Sequence, residues 1–326
     1  MKSKWIVALI MVAIGGGAAG ADDTYWQHDP LTPGDWHDDA NWTDGAPSGG
    51  VRTYIDNDGT ALISTAGSTA RAGNTYIGYN ASGAVVHDEG AASLGHTFFG
   101  QKVATASGSY ELSGGELVAV GLYLGGRGTG QFIHSGGTGD IVFVYLGWNE
   151  GQIQPLTASY GSYALSGSAQ LTADDLSVGL FGEGLFTQTG NTSVTAVGLR
   201  VGPHGVGRYE LSGGTILADT LNVGANGTFV QTSGDVTASD RLDVHGEYSL
   251  SGAANVSTDI ETLTGLFRQE GGLHSVDDLW LRNGSRYEMT GGTLAIGTSG
   301  VGQSELDFDG QAATVTLADR AFLDLS

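Results

Sequence analysis

Apolar and polar residues alternate along short stretches of this chain, and glycine-rich or polar corners separate the stretches. In the segment 209–223, apolar side chains stand at both ends of 209–211, 216–218 and 221–223. Alternation with a period of two is typical of a β-strand that buries one face. Each such segment therefore predicts a coil of three short strands, with the intervening polar side chains, such as Asn222, facing water.

An aromatic residue opens almost every coil, and tyrosine alternates with phenylalanine along the chain. The eight intervals between these aromatic residues run from 19 to 31 residues. A repeat near 20 residues is typical of a solenoid, in which each coil stacks on the next. The sequence thus predicts an all-β fold, a parallel β-helix (β-solenoid) with about 20 residues per coil and roughly ten coils. Right-handed winding is the rule for parallel crossovers. The aromatic positions are Tyr110, Phe132, Tyr163, Phe186, Tyr209, Phe229, Tyr248, Phe267 and Tyr287.

The residues that follow each aromatic position also repeat. Tyrosine opens the pattern Tyr-x-[Leu/Met]-[Ser/Thr]-Gly five times, and phenylalanine opens Phe-x-[Gln/His] four times. The strict alternation indicates that the unit of duplication is a pair of coils. The longest interval, between Phe132 and Tyr163, holds extra residues around 148–160, and insertions of this kind in solenoids form loops on one face, often a binding face.

The N-terminal segment predicts export. Lys2 and Lys4 precede a ten-residue apolar run that is too short to span a bilayer, and Ala19-Gly20-Ala21 matches a cleavage site. We expect residues 1–21 to be a signal peptide cleaved after Ala21, so that the protein is secreted or held at the cell surface. Residues 22–69, rich in tryptophan, predict an N-terminal cap and the first coils. Residues 70–326 predict the repeat domain, which we expect to continue past the end of this sequence.

Composition narrows the classes of partner. The formal net charge is −22, with 35 acidic and 13 basic residues, and the chain contains no cysteine. A surface this acidic repels nucleic acid and anionic lipid, so neither is an expected partner. The mature chain has no second apolar run that predicts a membrane span, and no cofactor motif. Composition does not identify a partner, and extracellular glycan or matrix is one class that fits an exported acidic protein.

The motifs resemble those of a known family. Asp35-Trp36, Asn41-Trp42 and Pro47 are followed by Gly-x-[Tyr/Phe] coils with Leu-Ser-Gly-Gly and Leu-x-Val-Gly segments. This combination resembles the exported β-helix repeat proteins of Gram-negative bacteria, of the type found with PEP-CTERM sorting tails or autotransporter-associated strand repeats. The resemblance implies a structural, adhesive or matrix role without catalytic activity.

An enzyme that acts on polysaccharides is the alternative, because parallel β-helices also house lyases and hydrolases. Such a site needs clustered aspartates, a histidine and a basic residue on neighbouring coils. Asp174, Asp175, His204 and Arg208 are the candidates. They also occupy corner positions where other coils carry ordinary polar residues, which favours a structural role for them.

Calcium and glycan sites complete the set of candidates. Asp56 with Asp58, and Asp307 with Asp309, have oxygen donors spaced for a calcium turn, although the twelfth-position glutamate of an EF-hand is missing from both segments. A third reading is a glycan-binding module that stacks tryptophan on sugar rings. The candidates for stacking are Trp26, Trp36, Trp42 and Trp148. Trp36 and Trp42 also suit a plug at the open end of the tube.

Overall fold

The computed structural model describes residues 23–149, 159–282, 284–297, 305–308, 314–317 and 321–325. The signal peptide prediction for residues 1–21 lies outside these ranges. The chain is all-β, with 64% of it in strands, and parallel pairing winds it into a β-solenoid of about 11 turns spaced about 22 residues apart. The prediction of fold class is confirmed. One 3₁₀ helix, Asp39–Asn41, interrupts the first part of the chain.

The strands are short in the first turns and lengthen in the middle of the solenoid. The first thirteen strands are β1 (Thr24–Tyr25), β2 (Gly34–Asp35), β3 (Thr53–Ile55), β4 (Thr60–Ile63), β5 (Thr69–Ala72), β6 (Thr75–Ile77), β7 (Ser82–His87), β8 (Ala91–Phe99), β9 (Ser107–Leu112), β10 (Glu116–Leu124), β11 (Thr129–His134), β12 (Thr138–Leu146) and β13 (Tyr160–Leu165). The remaining strands are β14 (Gln170–Val178), β15 (Glu183–Gln188), β16 (Ser193–Val201), β17 (Val206–Val223), β18 (Gly227–Val244), β19 (Glu247–Leu250), β20 (Asn255–Leu263), β21 (Leu266–Gln269), β22 (Leu273–Leu281), β23 (Arg286–Met289), β24 (Gly292–Ile296), β25 (Glu305–Phe308), β26 (Thr314–Leu317) and β27 (Ala321–Leu325).

The corner between the second and third predicted strands is tighter than the sequence suggests. In the middle turns these two strands run as one nine-residue strand, such as β10 or β14. A single residue forms the corner, and the strand pairing skips it: Val120 and Val142 lie between paired positions of β10 and β12. Their side chains point outward, 42% and 38% exposed. Because only one residue leaves the ladder, hydrogen bonding continues on both sides of the bend.

The nine aromatic residues stack inside the tube, and we call this row the inner aromatic ladder. Successive ring centroids are 4.6–5.0 Å apart, and the rings are within 17° of parallel. This spacing matches the distance between hydrogen-bonded strands. Every ring of the ladder is at most 1% exposed. A glycine lies two positions before eight of the nine rings, and Ser285 takes this place before Tyr287. The glycine permits close packing, since a Cβ on Gly207 would lie 2.1 Å from the carbonyl oxygen of Val178.

Hydrogen bonding explains why tyrosine alternates with phenylalanine. The hydroxyl of each tyrosine in the ladder meets a Gln or His of the preceding coil. That residue lies two positions after the one paired with the tyrosine, which is a phenylalanine in four coils and Val85 in the coil before Tyr110. Tyr209 donates to Oε1 of Gln188 at 2.6 Å, and Tyr248 donates to Oε1 of Gln231 at 2.6 Å. A buried hydroxyl without a partner is costly, so a tyrosine coil requires a Gln or His in the coil before it. The remaining three pairs are His87 with Tyr110, His134 with Tyr163, and Gln269 with Tyr287.

Tryptophans fill the end of the tube at the first coil. Trp26, Trp36 and Trp42 are at most 3% exposed, and their rings meet edge to face at 4.8 and 5.1 Å. The Nε1 of Trp42 donates to the carbonyl oxygen of Trp36 at 2.8 Å. Edge-to-face packing of large rings covers the apolar interior that the first coil would otherwise expose. Within the described residues there is no helix with the length and apolar composition that a membrane crossing requires.

Candidate functional site on the outer face

A second row of aromatic side chains runs along the outside of the solenoid, and we call it the outer ribbon. Its members stand on the third strand of successive coils, each one residue before an inward-facing side chain. Strand register joins each member directly to the next. In the following coils the same position is polar, with Ser177, Arg200 and then Asn222. The members of the outer ribbon are Tyr25, Tyr54, Tyr76, Phe98, Tyr123 and Tyr145.

The outer ribbon presents ring edges to solvent. The first five rings stack nearly parallel at 4.7–5.2 Å, while Tyr145 meets Tyr123 at 77° and 5.6 Å. Tyr25 is 45% exposed, whereas Tyr54 and Tyr123 are 8% exposed. Because neighbours cover the ring faces, the accessible parts are mainly edges, which carry the positive end of the ring quadrupole. Such a surface attracts oxygen atoms more than it stacks on sugar rings.

Cations border the outer ribbon at the turn that follows the third strand. Lys102 is exposed, and its Nζ lies 5.0 Å from the centroid of the Tyr79 ring, which itself packs edge to face on Tyr76. Arg127 holds the same position in the next coil and is also exposed. The turns after the third strand of two successive coils thus each carry a basic residue, in a chain with a net charge of −22.

Burial favours the neutral forms of three tyrosines of the outer ribbon, Tyr54, Tyr123 and Tyr145. Burial raises the pKa of Tyr54 and of Tyr123, and the pKa of Tyr145 is raised by burial and by the Asp175 carboxylate. His96, whose Nδ1 lies 3.0 Å from the hydroxyl of Tyr123, has its pKa lowered by burial. These three tyrosines therefore take part in hydrogen bonds as neutral hydroxyl groups.

The structure does not bring the four candidate catalytic residues into one cluster of contacts. Asp174 is exposed at a corner, and Asp175 pairs with Arg200 and accepts from Tyr145 at 3.0 Å. His204 lies in a turn and stacks on Phe181 at 5.6 Å. Arg208 stands on β17 and pairs with Glu210 at 2.6 Å. Asp175, His204 and Arg208 therefore each have different partners, and Asp175 contacts the end of the outer ribbon.

The candidate calcium ligands have other partners as well. Asp56 accepts hydrogen bonds from the backbone amides of Asn80 and Ala81 at 2.6 and 2.7 Å, and Asp58 accepts from the amide of Ser82 at 3.1 Å. These carboxylates thus hold the turn of the next coil. Oδ2 of Asp307 lies 3.9 Å from Nη2 of Arg282, and Asp309 lies outside the described residues. Within the described ranges, no three His, Asp or Glu side chains converge in a way that could hold a metal ion.

Of the four candidate tryptophans for glycan stacking, only Trp148 lies at the outer surface. The buried cluster of Trp26, Trp36 and Trp42 closes the tube and has no free ring face for a sugar. Trp148 is half-buried and packs on Tyr123 at 4.9 Å and on Tyr145 at 5.9 Å. It therefore extends the outer ribbon. The insertion that follows it, residues 150–158, lies outside the described residues.

A buried ion pair interrupts the leucine row of the interior. Glu261 stands in register between Leu242 and Leu279, and its Oε2 lies 2.8 Å from Nε2 of His274. Both side chains are fully buried. The carboxylate approaches the ring at ion-pair distance but without the alignment of a hydrogen bond. His274 also lies 2.8 Å from the hydroxyl of Tyr287 through Nδ1.

The outer ribbon and the Glu261–His274 pair are the features that sequence reasoning missed. A signal for the ribbon was present, because Tyr54, Tyr76, Phe98 and Tyr123 recur at intervals of 22, 22 and 25 residues.

Neither a family model, nor a curated protein, nor a solved structure matches this chain.

Proposed function

We propose that this chain is a secreted or cell-surface β-solenoid protein with a structural or adhesive role and without catalytic activity. The observation that carries the proposal is the inner aromatic ladder, which runs through nine coils with ring spacing of 4.6–5.0 Å. Such a core makes an elongated stack in which every coil supports its neighbours. A rod of this kind suits the display of one repeated surface along its length.

The contacts of the candidate catalytic residues support the absence of catalysis. A general acid or base must reach the substrate and the other reacting groups within hydrogen-bond distance. Asp175 is engaged by Arg200 and Tyr145, and Arg208 by Glu210. A polysaccharide lyase or hydrolase remains the alternative reading. It would require these residues to leave their present partners and converge on one sugar.

Export is part of the proposal. The charged start, the apolar run and the Ala19-Gly20-Ala21 segment support it, as does the resemblance to exported repeat proteins of Gram-negative bacteria. The full chain should be expressed in a Gram-negative host, and the N-terminus of the exported product determined by mass spectrometry. We expect Asp22 as the first residue. A product that stays in the cytoplasm with Met1 or Lys2 at its start contradicts this part of the proposal.

The absence of catalysis is tested on a panel of soluble and insoluble polysaccharides. The full chain is incubated with each polymer, and new reducing ends and unsaturated products are measured against buffer. The double variant Asp175→Asn/His204→Ala is the control. We expect retention of protein on at least one polymer or cell surface and no product release. Product release by the wild type that disappears in the double variant would establish the enzyme reading instead.

A further inference from the structure

We propose that the buried Glu261–His274 pair is a pH-sensitive switch, which binds one shared proton in the folded solenoid and lets the coils around it open more readily above about pH 6.5. Glu261 stands on β20 and His274 on β22, so the pair joins two successive coils. Both side chains are fully buried, and Nε2 of His274 lies 2.8 Å from Oε2 of Glu261. The switch goes beyond the proposed function, because it acts on the fold and requires no ligand.

Hydrogen bonds around His274 show which ring nitrogen carries a proton. Nε2 of Gln269 donates to the carbonyl oxygens of Gly272 and Thr293 at 3.2 and 2.9 Å, which leaves Oε1 of Gln269 as an acceptor. Tyr287 donates its proton to that oxygen at 2.7 Å. The hydroxyl oxygen of Tyr287 therefore accepts from Nδ1 of His274, which is 2.8 Å away. Nδ1 carries a proton, and Nε2 is the nitrogen that faces the carboxylate.

One further proton must lie between Nε2 and Glu261. Without it, a lone pair of the ring would face a charged oxygen at 2.8 Å, and the buried site would have a net negative charge. With two further protons, the site would have a net positive charge. Either net charge is costly where no solvent reaches. A single proton leaves the site neutral, whether the ring or the carboxyl group holds it, so the pair titrates as a unit. The ring of Phe267, parallel to the imidazole at 4.5 Å, presents the negative face of its quadrupole to a protonated ring.

The titratable groups that face the pair are Tyr248 and Tyr287. Their pKa values are raised well above the ordinary value, by burial first and by Glu261 second. Both hydroxyls therefore stay neutral as the pH rises. The strands on either side of β20 place Leu242 and Leu279 next to the carboxylate. The pH dependence of this site thus comes from the shared proton.

The proton count determines the sign of the pH dependence. In the unfolded chain a glutamate and a histidine titrate near their ordinary pKa values, about 4.3 and 6.5. Above about pH 6.5 the folded pair holds one proton more than the unfolded chain, so the equilibrium constant for unfolding rises about tenfold per pH unit while the folded pair keeps its proton. Between about pH 4.3 and 6.5 both states hold the same number of protons, and the contribution of the pair is constant. Below about pH 4.3 the unfolded chain holds one proton more, and stability falls as the pH drops.

The effect of the switch is local, because each coil of a solenoid contacts only its neighbours. β20 pairs with β18 and β22, and these strands open together when the pair is broken. β10 and β12 lie several coils away and contain neither member of the pair. Different parts of one protein can open with different free energies. We therefore expect alkaline solution to open the coils around β20 and β22 before those around β10 and β12.

The test variant is Glu261→Gln, and the matched control is Glu270→Gln, which removes an exposed carboxylate from the coil of His274. In Glu261→Gln the amide donates to Nε2 of a neutral ring, so the folded site holds no shared ionisable proton. Native-state hydrogen exchange of the exported full chain is followed by mass spectrometry from about pH 5 to about pH 8.5, with exchange rates corrected for their intrinsic pH dependence. Amides of β20 and β22 report on the switch, and those of β10 and β12 are the internal reference.

We expect the opening constant of β20 and β22 in the wild type, divided by that in Glu261→Gln, to rise about tenfold per pH unit. The wild type loses stability above about pH 6.5, whereas the variant, whose ring must stay neutral, loses it below that pH. The same ratio for Glu270→Gln should stay within about twofold over the range. A ratio for Glu261→Gln that is independent of pH, or that Glu270→Gln reproduces, would overturn the inference. An equal change in β10 and β12 would show a global effect and would also overturn it.

A second variant keeps the test decisive if Glu261→Gln does not fold. Glu261→Leu/His274→Leu removes both titratable groups from the site. The ratio of opening constants between the wild type and this variant should be constant from about pH 5 to 6.5 and rise about tenfold per pH unit above that. A ratio that is constant up to about pH 8.5 would exclude the shared proton as the cause of the opening.

Discussion

The buried pair Glu261–His274 allows the energetics of the interior to be tested directly. Glu261 occupies a position where the neighbouring coils have Leu242 and Leu279. One of its oxygens has a single ion-pair contact and the other has none, in a site with no solvent exposure. Removing one member of a buried ion pair costs about 3–5 kcal/mol, because the other charge is left without compensation.

The hydrogen-bond direction around His274 determines which polar groups lose a partner when Glu261 or His274 is replaced. Tyr287 donates to Oε1 of Gln269 at 2.7 Å, so Nδ1 of His274 is the donor to the tyrosine oxygen. Nε2 then faces Glu261. In Glu261→Leu the ring keeps its contact with Tyr287, but its Nε2 no longer faces a carboxylate. In His274→Leu the carboxylate remains buried with no partner.

We expect Glu261→Leu and His274→Leu each to lower the free energy of unfolding of the affected coils by about 3–5 kcal/mol. The double variant Glu261→Leu/His274→Leu should lie within about 1 kcal/mol of the wild type or above it, since apolar replacement of a buried ion pair is often neutral or stabilising. Its leucines continue a row that already contains Leu242 and Leu279. The measurement is urea unfolding followed by circular dichroism, analysed as a double-mutant cycle.

The outcome that contradicts this reasoning is additivity. If the double variant loses as much stability as the two single variants together, the contact between Glu261 and His274 does not account for the destabilisation. The cavity or strain that each substitution leaves would then account for it. A single Glu261→Leu that raises stability would show that the carboxylate is a burden even beside His274.

Three further predictions concern the interior. Leu221→Asp places a charge in the tube and should destabilise the adjacent coils by several kcal/mol. Asn222→Asp, on the outer face, should leave the free energy of unfolding nearly unchanged. Equal shifts in the urea midpoint of the two variants would contradict the assigned faces. Burial lowers the pKa of His134 to about 4 from its ordinary 6.5. The unfolded chain therefore takes up the proton first, and stability that is complete above about pH 6.5 falls by about 3 kcal/mol as the pH drops to 4. Unfolding titrations should show this loss in the wild type and a smaller one in His134→Gln; identical pH profiles would exclude His134 as the cause. Tyr209→Phe should lower the free energy of unfolding by about 1–3 kcal/mol, because Oε1 of Gln188 loses its donor. The double variant Tyr209→Phe/Gln188→Leu should recover part of that stability in thermal melts. A double variant with no recovery would contradict the pairing.

The interior of the fold could be predicted from the sequence because one geometric rule governs it. Side chains on a strand alternate between faces, so Leu221 and Val223 had to share a side, and a fixed repeat had to place each beside its counterpart in the next coil. The structure confirms these rows, with both residues at most 1% exposed. The corner was less accessible, since a one-residue bend such as Val120 leaves the same alternation as a longer turn.

The candidate sites were harder to predict from the sequence, for a physical reason. On the outer face the alternation rule predicts polar residues, so Tyr76 and Phe98 look in sequence like parts of the apolar pairs Tyr76-Ile77 and Phe98-Phe99. Only the register shows that the second member of each pair points inward and the first outward. Glu261 was missed because pairing shifts register after Ala238. The leucine pattern of the neighbouring coils does not indicate that Glu261 is the residue that aligns with this row.

The hydrogen-bonding needs of buried polar side chains also explain why the repeating unit is a pair of coils. A tyrosine in the inner aromatic ladder needs a Gln or His in the preceding coil, and the amide of that Gln needs carbonyl oxygens in turn: Nε2 of Gln231 donates to Gly234 and to Asn255 at 2.9 and 2.8 Å. If every coil carried both a tyrosine and a Gln, neighbouring amides would compete for space and for the same carbonyl groups. Phenylalanine with Gln in one coil and Tyr248 with Leu250 in the next places one polar group of each kind in every pair. The pair of coils is therefore the smallest unit that fills the tube and gives every tyrosine hydroxyl of the inner aromatic ladder a partner.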